Sequence, residues 1–421
     1  MFGVLRRNPR FRRLWSAQVV SLMGDWFNRV AALTLIGRLG GGGAALGVGL
    51  LFGVEVVVRF LPIAALGPVA GPVADRVPRR VLMVVADLVR AGAVLLLLVV
   101  RERGDLWLLY CVLTVQMGVS IFFESARSAS VPNTLDDGEL HEAYALSSAT
   151  WSTMLAVGAL CGGVLVEVVG VYGVFVLDAA TYVASAALLL GLKLPAMPKQ
   201  AEAFRWRDVL VGRDLRRGLD HVRAVGMTHA VVAKAAWGGA GGFLVVLAIA
   251  AKEGFGAGSA SDGPGAVDAG LATGILYSVR GLGTGVGPFL GRWLLGTDER
   301  GLRRQVSWGF VTGATGYAAF SMVDALPLAA GCVFVAHLGG SAVWVGSTIL
   351  WQRRIEDAFR GRVFALEFLA MTVSVSLFGL TAGLLYDVTE SLRTTTLVVC
   401  AIVLVCGATW TVASRRTLGH S

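Results

Sequence analysis

The chain has 421 residues, of which 55% are hydrophobic and 15% charged, and its mean hydropathy is +0.70. Soluble domains carry about a quarter charged residues, so this composition excludes an ordinary water-facing globular surface. The net charge is +9, but the Arg residues lie in short clusters between apolar runs, with no nucleic-acid motif and no contiguous basic domain; the expected partner is the lipid bilayer, with no nucleic acid and no obligate protein partner.

Twelve stretches reach the roughly 20 apolar residues that a helix needs to cross a bilayer core of about 30 Å. They are residues 13–37, 45–70, 80–101, 105–129, 142–168, 171–192, 226–251, 268–293, 304–323, 326–350, 363–386 and 393–413. The N-terminus is Arg-rich, but the apolar run behind it has full span length and no small-residue cleavage site, so it reads as the first span rather than a signal peptide. Backbone polarity leaves helices or a closed barrel as options. Continuous runs of this length, without ten-residue alternation, exclude the barrel. The expected fold is an all-α membrane protein of twelve transmembrane helices. The 55 Gly residues suit close helix packing in lipid. The five Cys fall inside apolar runs without metal-ligand spacing and read as small hydrophobes.

The basic residues set the expected orientation. With both termini cytoplasmic, 25 of the 37 Lys and Arg face the cytoplasm and five face the other side. The implied localisation is the inner (plasma) membrane of a bacterial-type cell. Residues 1–192 form one six-helix bundle and 226–421 a second. Between them, 193–225 read as a cytoplasmic linker, in which Trp206, Leu210, Leu215, Leu219 and Val222 fall on one face of an amphipathic helix. Such a helix either lies in the membrane interface or is solvated. The Gly- and Ser-rich loop from Gly254 to Asp268 is expected to be flexible.

The two bundles share a pattern. Gly67-Pro68-Val69-Ala70-Gly71 is followed by Asp75 and the pair Arg79-Arg80. Half a chain length later, Gly287-Pro288-Phe289-Leu290-Gly291 is followed by Asp298 and the pair Arg303-Arg304. Parallel six-helix repeats are a plan used by secondary transporters. The stretch Gly71-Pro-Val-Ala-Asp75-Arg76-Val-Pro-Arg79-Arg80 resembles the loop signature between helices 2 and 3 of the major facilitator superfamily. It departs from the usual pattern at Pro72, Val73 and Pro78. Further segments are similar to a branch containing macrolide-efflux and enterobactin-exporter proteins. They are Asn8-Pro9 through Gln18, Ser21 through Phe27, Ser125-Ala126-Arg127 to Pro132, Glu142 to Leu146 and Arg360-Gly361-Arg362-Val363. Where antiporters of this kind often carry G-P-x-x-G-G, this chain reads Gly158-Ala159-Leu160-Cys161-Gly162-Gly163. The glycines that permit close packing remain, and the proline kink is not expected.

Ionisable residues inside a bilayer are costly and usually face a cavity or a partner. Gln18, Ser21, Asp25 and Asn28 share one face of the first span, and Arg29 follows Asp25 at helical spacing. Glu55 and Arg59 repeat that spacing in the second span; Glu124 and Arg127 make a polar face in the fourth. Lys234 and Trp237 lie in the seventh span, Arg280 in the eighth, His337, Ser341 and Trp344 in the tenth, and Glu367 in the eleventh. The resemblance implies a central cavity lined by spans 1, 4, 7 and 10. It also implies a cytoplasmic gate at Gly71, Asp75, Arg76, Arg79 and Arg80; the bland alternative is that these Arg residues only set topology.

No phosphate-binding loop of the form G-x-x-x-x-G-K-[ST] and no H-E-x-x-H is present, so neither an enzyme nor an ATP-driven pump is expected. A secondary active exporter of a small amphipathic molecule, coupled to protons and needing no cofactor beyond the proton gradient, fits best. Asp25 is the first candidate for coupling and Glu124 the second, against a purely structural Asp25–Arg29 pair. The alternatives are a lipid transporter of the same fold and a transport-inactive sensor or assembly partner.

Overall fold

A computed structural model of the protein describes residues 3–41, 47–136, 139–194, 212–255 and 268–416, and among them every regular element is a helix. The bundle is built from α1 (Pro9–Leu39), α2 (Val48–Ala74), α3 (Arg79–Leu95), α4 (Leu106–Ser130), α5 (residues 140–169) and α6 (residues 171–190). It continues with α7 (residues 228–254), α8 (Ala269–Leu295), α9 (Glu299–Phe320), α10 (Leu326–Gln352), α11 (Asp357–Thr389) and α12 (Leu392–Arg416). Pro9 sits in the first turn of α1, where its missing N–H costs nothing. α5 and α6 run into one another except at Gly170, whose φ of 72° turns the chain over. A side chain there would be strained, which is why glycine occupies the turn.

Nine helices are long and apolar enough to cross a membrane among the described residues, with α5 and α6 counted as one. α8 and α9 have 27 and 22 residues but are not among those nine. Among the described residues hydropathy therefore does not reach the expected twelve spans, although the helices, divided at Gly170, number twelve from α1 to α12.

Part of the linker lies among the described residues. Gly212–Ala224 is a helix, and it docks on the start of α11 rather than standing apart. The His221 ring stacks on Phe359 at 3.9 Å between centroids, and Val222 is fully buried. Trp206 and Leu210, assigned to the same apolar face, lie outside the described residues, as does most of the Gly- and Ser-rich loop.

Contacts between the bundles gather at the end opposite the termini. There the Asp387 carboxylate accepts from the Gly49 and Leu50 amides, each at 2.8 Å, at the start of α2. A carboxylate in that position satisfies orphan N–H groups and meets the positive end of the helix dipole. Arg38 and Asp268 pair at 3.3 Å across the same end. Below them the helices cross on glycine. A Cβ on Gly163 in α5 would lie 2.9 Å from the Gly270 carbonyl oxygen and 3.1 Å from the Gly274 Cα of α8. Gly49, Gly53, Gly379 and Gly383 do the same for α2 and α11. At the terminus-bearing end Asp75 is 68% exposed. Among the described residues the polar contacts between the bundles thus lie at the far end, and the end that bears the termini is the more open one.

A Cβ on Gly379 would sit 3.1 Å from the Val56 Cβ, close to the spacing of a disulfide. The pair Val56→Cys/Gly379→Cys is expected to oxidise readily in the reconstituted protein. Asp387→Ala removes two hydrogen bonds to a charged group, worth about 1.5–3 kcal/mol each, and should slow that oxidation about tenfold or more. Equal oxidation rates would mean that helix packing alone closes the far end.

Candidate functional site

The polar interior of the first bundle centres on Arg90. Asp87 and Arg90 stand three residues apart on α3, so they share a helical face and pair directly. The same guanidinium reaches Asp25 of α1 at 3.7 Å and donates to the Ser21 hydroxyl at 3.2 Å. It also lies 4.4 Å from the Tyr182 ring and 4.9 Å from the Phe123 ring. Tyr182 of α6 donates its hydroxyl hydrogen to Asp25 and accepts from Gln116 of α4 at 2.6 Å. Gln116 also reaches Asp178 of α6 at 3.5 Å. Asp178 can approach α1 because residue 24 is glycine: a Cβ there would lie 2.5 Å from the Asp178 Oδ1 and would run into Thr181. Two carboxylates, of α1 and α3, therefore pair with one guanidinium, and a third, of α6, lies beside them. Asp87 and Asp178 are fully buried, whereas the Asp25 side chain keeps 22% exposure.

A second charge group lies further along α1. Arg29 does not turn to Asp25, as its spacing suggested; it pairs with Glu55 of α2 at 3.7 Å. The reason is competition: Asp25 is held by Arg90 and Tyr182, while Glu55 sits beside Arg29 and also binds Arg59 one turn on. One carboxylate thus serves two guanidiniums. In α4, Glu124 and Arg127 pair along their own helix, with Arg127 Nε 2.9 Å from the carboxylate and the Glu124 side chain half exposed toward the open end.

The loop after α2 is anchored to its own bundle. Arg79 donates to the Ala129 carbonyl at 2.6 Å and Arg80 to the Leu192 carbonyl at 3.5 Å, at the ends of α4 and α6. Cations are favoured at helix C-termini. Arg76 bonds the Pro72 carbonyl at 2.9 Å. Asp75 lies 3.6 Å from Arg79 and is 68% exposed, so it faces solvent in this state. Gly71 sits in open space beside it. The matching loop of the second bundle is braced differently. Glu299 bonds Arg303 and Arg354, both at 2.8 Å, and the Arg354 hydrogen bond leads in holding its carboxyl below the usual range.

In the second bundle Lys234 of α7 is buried against Glu367 of α11 at 2.8 Å and bonds Thr348 of α10 at 2.7 Å. Trp351 donates to the same Glu367 at 3.0 Å. Lys234 is therefore neutralised within its own bundle. Of the residues assigned to the cavity, Trp344 is the one left 44% exposed, with the Lys234 ammonium 4.7 Å from its ring. Trp237 is instead wedged against Gly313 of α9 and Gly340 of α10, edge-on to Phe310 at 5.6 Å. His337 bonds the Tyr317 hydroxyl at 3.0 Å, joining α9 to α10. Ser341 is buried where α10 meets Gly287 of α8, and Gln18 is buried in α1.

Sequence reasoning passed over Asp87, Arg90, Asp178 and Tyr182. The signal was present: Asp87 and Arg90 interrupt an apolar run at helical spacing, and Asp178 does so alone in the sixth span. What linear spacing did not show is that three helices bring them together.

Comparison with known proteins agrees with this architecture. The family model described as Major Facilitator Superfamily matches residues 14–271, more than half of the chain. The MFS-type transporter YfiS of Bacillus subtilis is 29% identical over 199 residues, covering 47% of this chain and 46% of that protein. Macrolide efflux protein A of Streptococcus pyogenes is 23% identical over 216 residues, covering 51% of each chain. The matched stretch spans about half the length of these relatives. Among solved structures, that of the nucleoside transporter NupG superposes with a TM-score of 0.76 at 11% identity, covering 96% of this chain and 98% of that one. With its helical bundle, its repeated loop signature and this match, the chain belongs to the Major Facilitator Superfamily of membrane transporters, and it is not an enzyme.

Proposed function

We propose that this transporter exports a small molecule in exchange for protons, by alternating access between its two bundles, and that the proton is held by the carboxylates around Arg90. The observation that carries this reading is the count of charges. Asp25 and Asp87 pair with one guanidinium, and Asp178 lies beside them, bonded by the same Gln116 that bonds Tyr182. Like charges that close in an environment without water repel strongly, so full ionisation is unfavourable and a proton relieves it. Asp87 Oδ2 and Asp178 Oδ1 are buried without a hydrogen-bond partner, which leaves room for a proton on either. Asp25, with its residual exposure, is the member through which the proton exchanges with the cavity. Glu124, half exposed and paired within α4, serves as a relay toward the open end. The positive-inside pattern supports twelve spans with both termini in the cytoplasm of a bacterial cell, which makes the present state inward-facing. Asp75 then belongs to the gate of the opposite state, in which the loop after α2 meets the second bundle. Efflux is supported by the likeness to macrolide efflux protein A.

Everted vesicles carrying the protein, loaded with a pH gradient and offered a panel of dyes, macrolides and siderophores, test the exchange. At least one compound should collapse the gradient with the parent and fail to do so with Asp25→Asn. Transport by both chains alike would remove Asp25 from the proton path, and no response across the panel would favour lipid transport or a sensor.

The cluster itself can be probed by stability. Arg90→Gln leaves buried carboxylates without their cation and should cost about 3–5 kcal/mol, read as a lower thermal inactivation midpoint. Arg90→Gln/Asp87→Asn should recover part of that loss. Additive effects in the double variant would show that the two side chains do not share one charge network.

A further inference from the structure

The second charge group has a surplus of the other sign. Arg29 and Arg59 share Glu55, and neither has another carboxylate within ion-pair distance among the described residues. Facing them from the second bundle is Arg280 of α8, which has no acidic partner at all among the described residues. Arg29 and Arg280 flank a single ring: their guanidinium carbons lie 5.2 Å and 5.5 Å from the centroid of Tyr277. Arg29 also lies 5.8 Å from Trp26, whose indole meets Trp151 edge-on at 6.5 Å. Nε of Arg29, and Nε and Nη1 of Arg280, are buried without a hydrogen-bond acceptor, and Nη2 of Arg29 faces Glu55 at 3.7 Å without a hydrogen bond. Arg29 as a residue is 8% exposed.

Contacts with aromatic faces offset only part of the cost of burying a cation, and they leave guanidinium donors unused. Two arginines from opposite bundles, with open donors and no carboxylate between them, form an incomplete site whose missing member is an anion. Its place in the fold fits a substrate. α1 and α8 come from different bundles, and the residues sit beneath the closed far end, where both bundles touch whatever the cavity holds. Lys234 does not compete, because Glu367 neutralises it.

We propose that Arg29 and Arg280 together bind an oxyanion of the transported molecule, against the aromatic wall of Trp26 and Tyr277, so that the substrate is an organic anion with an apolar body. This rests on the transport reading above and supplies its substrate class. A planar carboxylate or a phosphate satisfies the same donors.

The test is equilibrium binding to the full chain in nanodiscs of zwitterionic phosphatidylcholine, with empty discs subtracted. The probes are 1-naphthoate, 1-naphthyl phosphate and the uncharged 1-naphthamide. At least one of the two anions should bind about tenfold or more tightly than the amide, and the better of the two identifies the oxyanion. Arg29→Gln and Arg280→Gln should each reduce that preference about tenfold, while binding of the amide persists. A parent that does not distinguish anion from amide overturns the proposal, as does a preference that survives both substitutions. Should Arg280→Gln fail to fold, Arg280→Lys replaces it: the preference then falls part-way, and an unchanged preference overturns the proposal. Binding needs no gradient. A chain that binds the anion without releasing protons would therefore sink the exchange reading and leave this one standing, and an exchanger indifferent to the anion would do the reverse.

Discussion

A charge inside a bilayer must be neutralised by protein, and most of the interior of this transporter is arranged around that requirement. Arg90 is the clearest case. It is almost wholly buried, yet it touches Asp87 on its own helix, Asp25 and Ser21 on α1, and the ring of Tyr182 on α6. Those contacts fix α1, α3 and α6 relative to one another more specifically than apolar packing would. Lys234 does the same for the second bundle, tying α7 to α10 and α11 through Thr348 and Glu367.

Such networks need helices to approach closely, and glycine supplies the approach. Gly24 admits Asp178 beside Asp25, so a missing side chain on α1 brings a carboxylate of α6 into the cluster. Gly158 and Gly162 of α5 lie against Trp26 and Phe27 of α1, and Gly163 crosses α8. The glycines of the modified G-P-x-x-G-G stretch therefore serve both packing inside the first bundle and closure against the second. With little hydrophobic driving force between helices in lipid, such van der Waals contact and interhelical hydrogen bonds carry association.

The two charge groups of the first bundle differ in sign of surplus, and α1 carries members of both. Around Arg90 there are more carboxylates than cations; around Glu55 there are more cations than carboxylates. Asp25 and Arg29 lie one turn apart on that helix. A rotation of α1 would therefore act on both groups together. Among the described residues the polar contacts across the far end are Asp387 on the start of α2 and Arg38 with Asp268, beside the glycine crossings of α5 with α8 and of α2 with α11.

The sequence by itself determined what depends on local composition. Long apolar runs gave helices, the loop signature gave the family, and the placement of Gly, Pro and Arg marked helix ends. α8 and α9 are helices of 27 and 22 residues where the sequence placed apolar stretches, although neither is among the nine that are apolar enough by hydropathy among the described residues. Partner choice was left to tertiary structure. Spacing alone set Arg29 beside Asp25, but along one helix it could not weigh Arg90 and Tyr182, which arrive from α3 and α6 and take the carboxylate first. Trp237 and Ser341 looked like cavity residues from their helices, and the packing of α9 and α8 turned both into the bundle. Helical periodicity tells which residues share a face. Which neighbour that face meets depends on how helices distant in sequence cross, and that is decided by glycine contacts and buried ion pairs between segments.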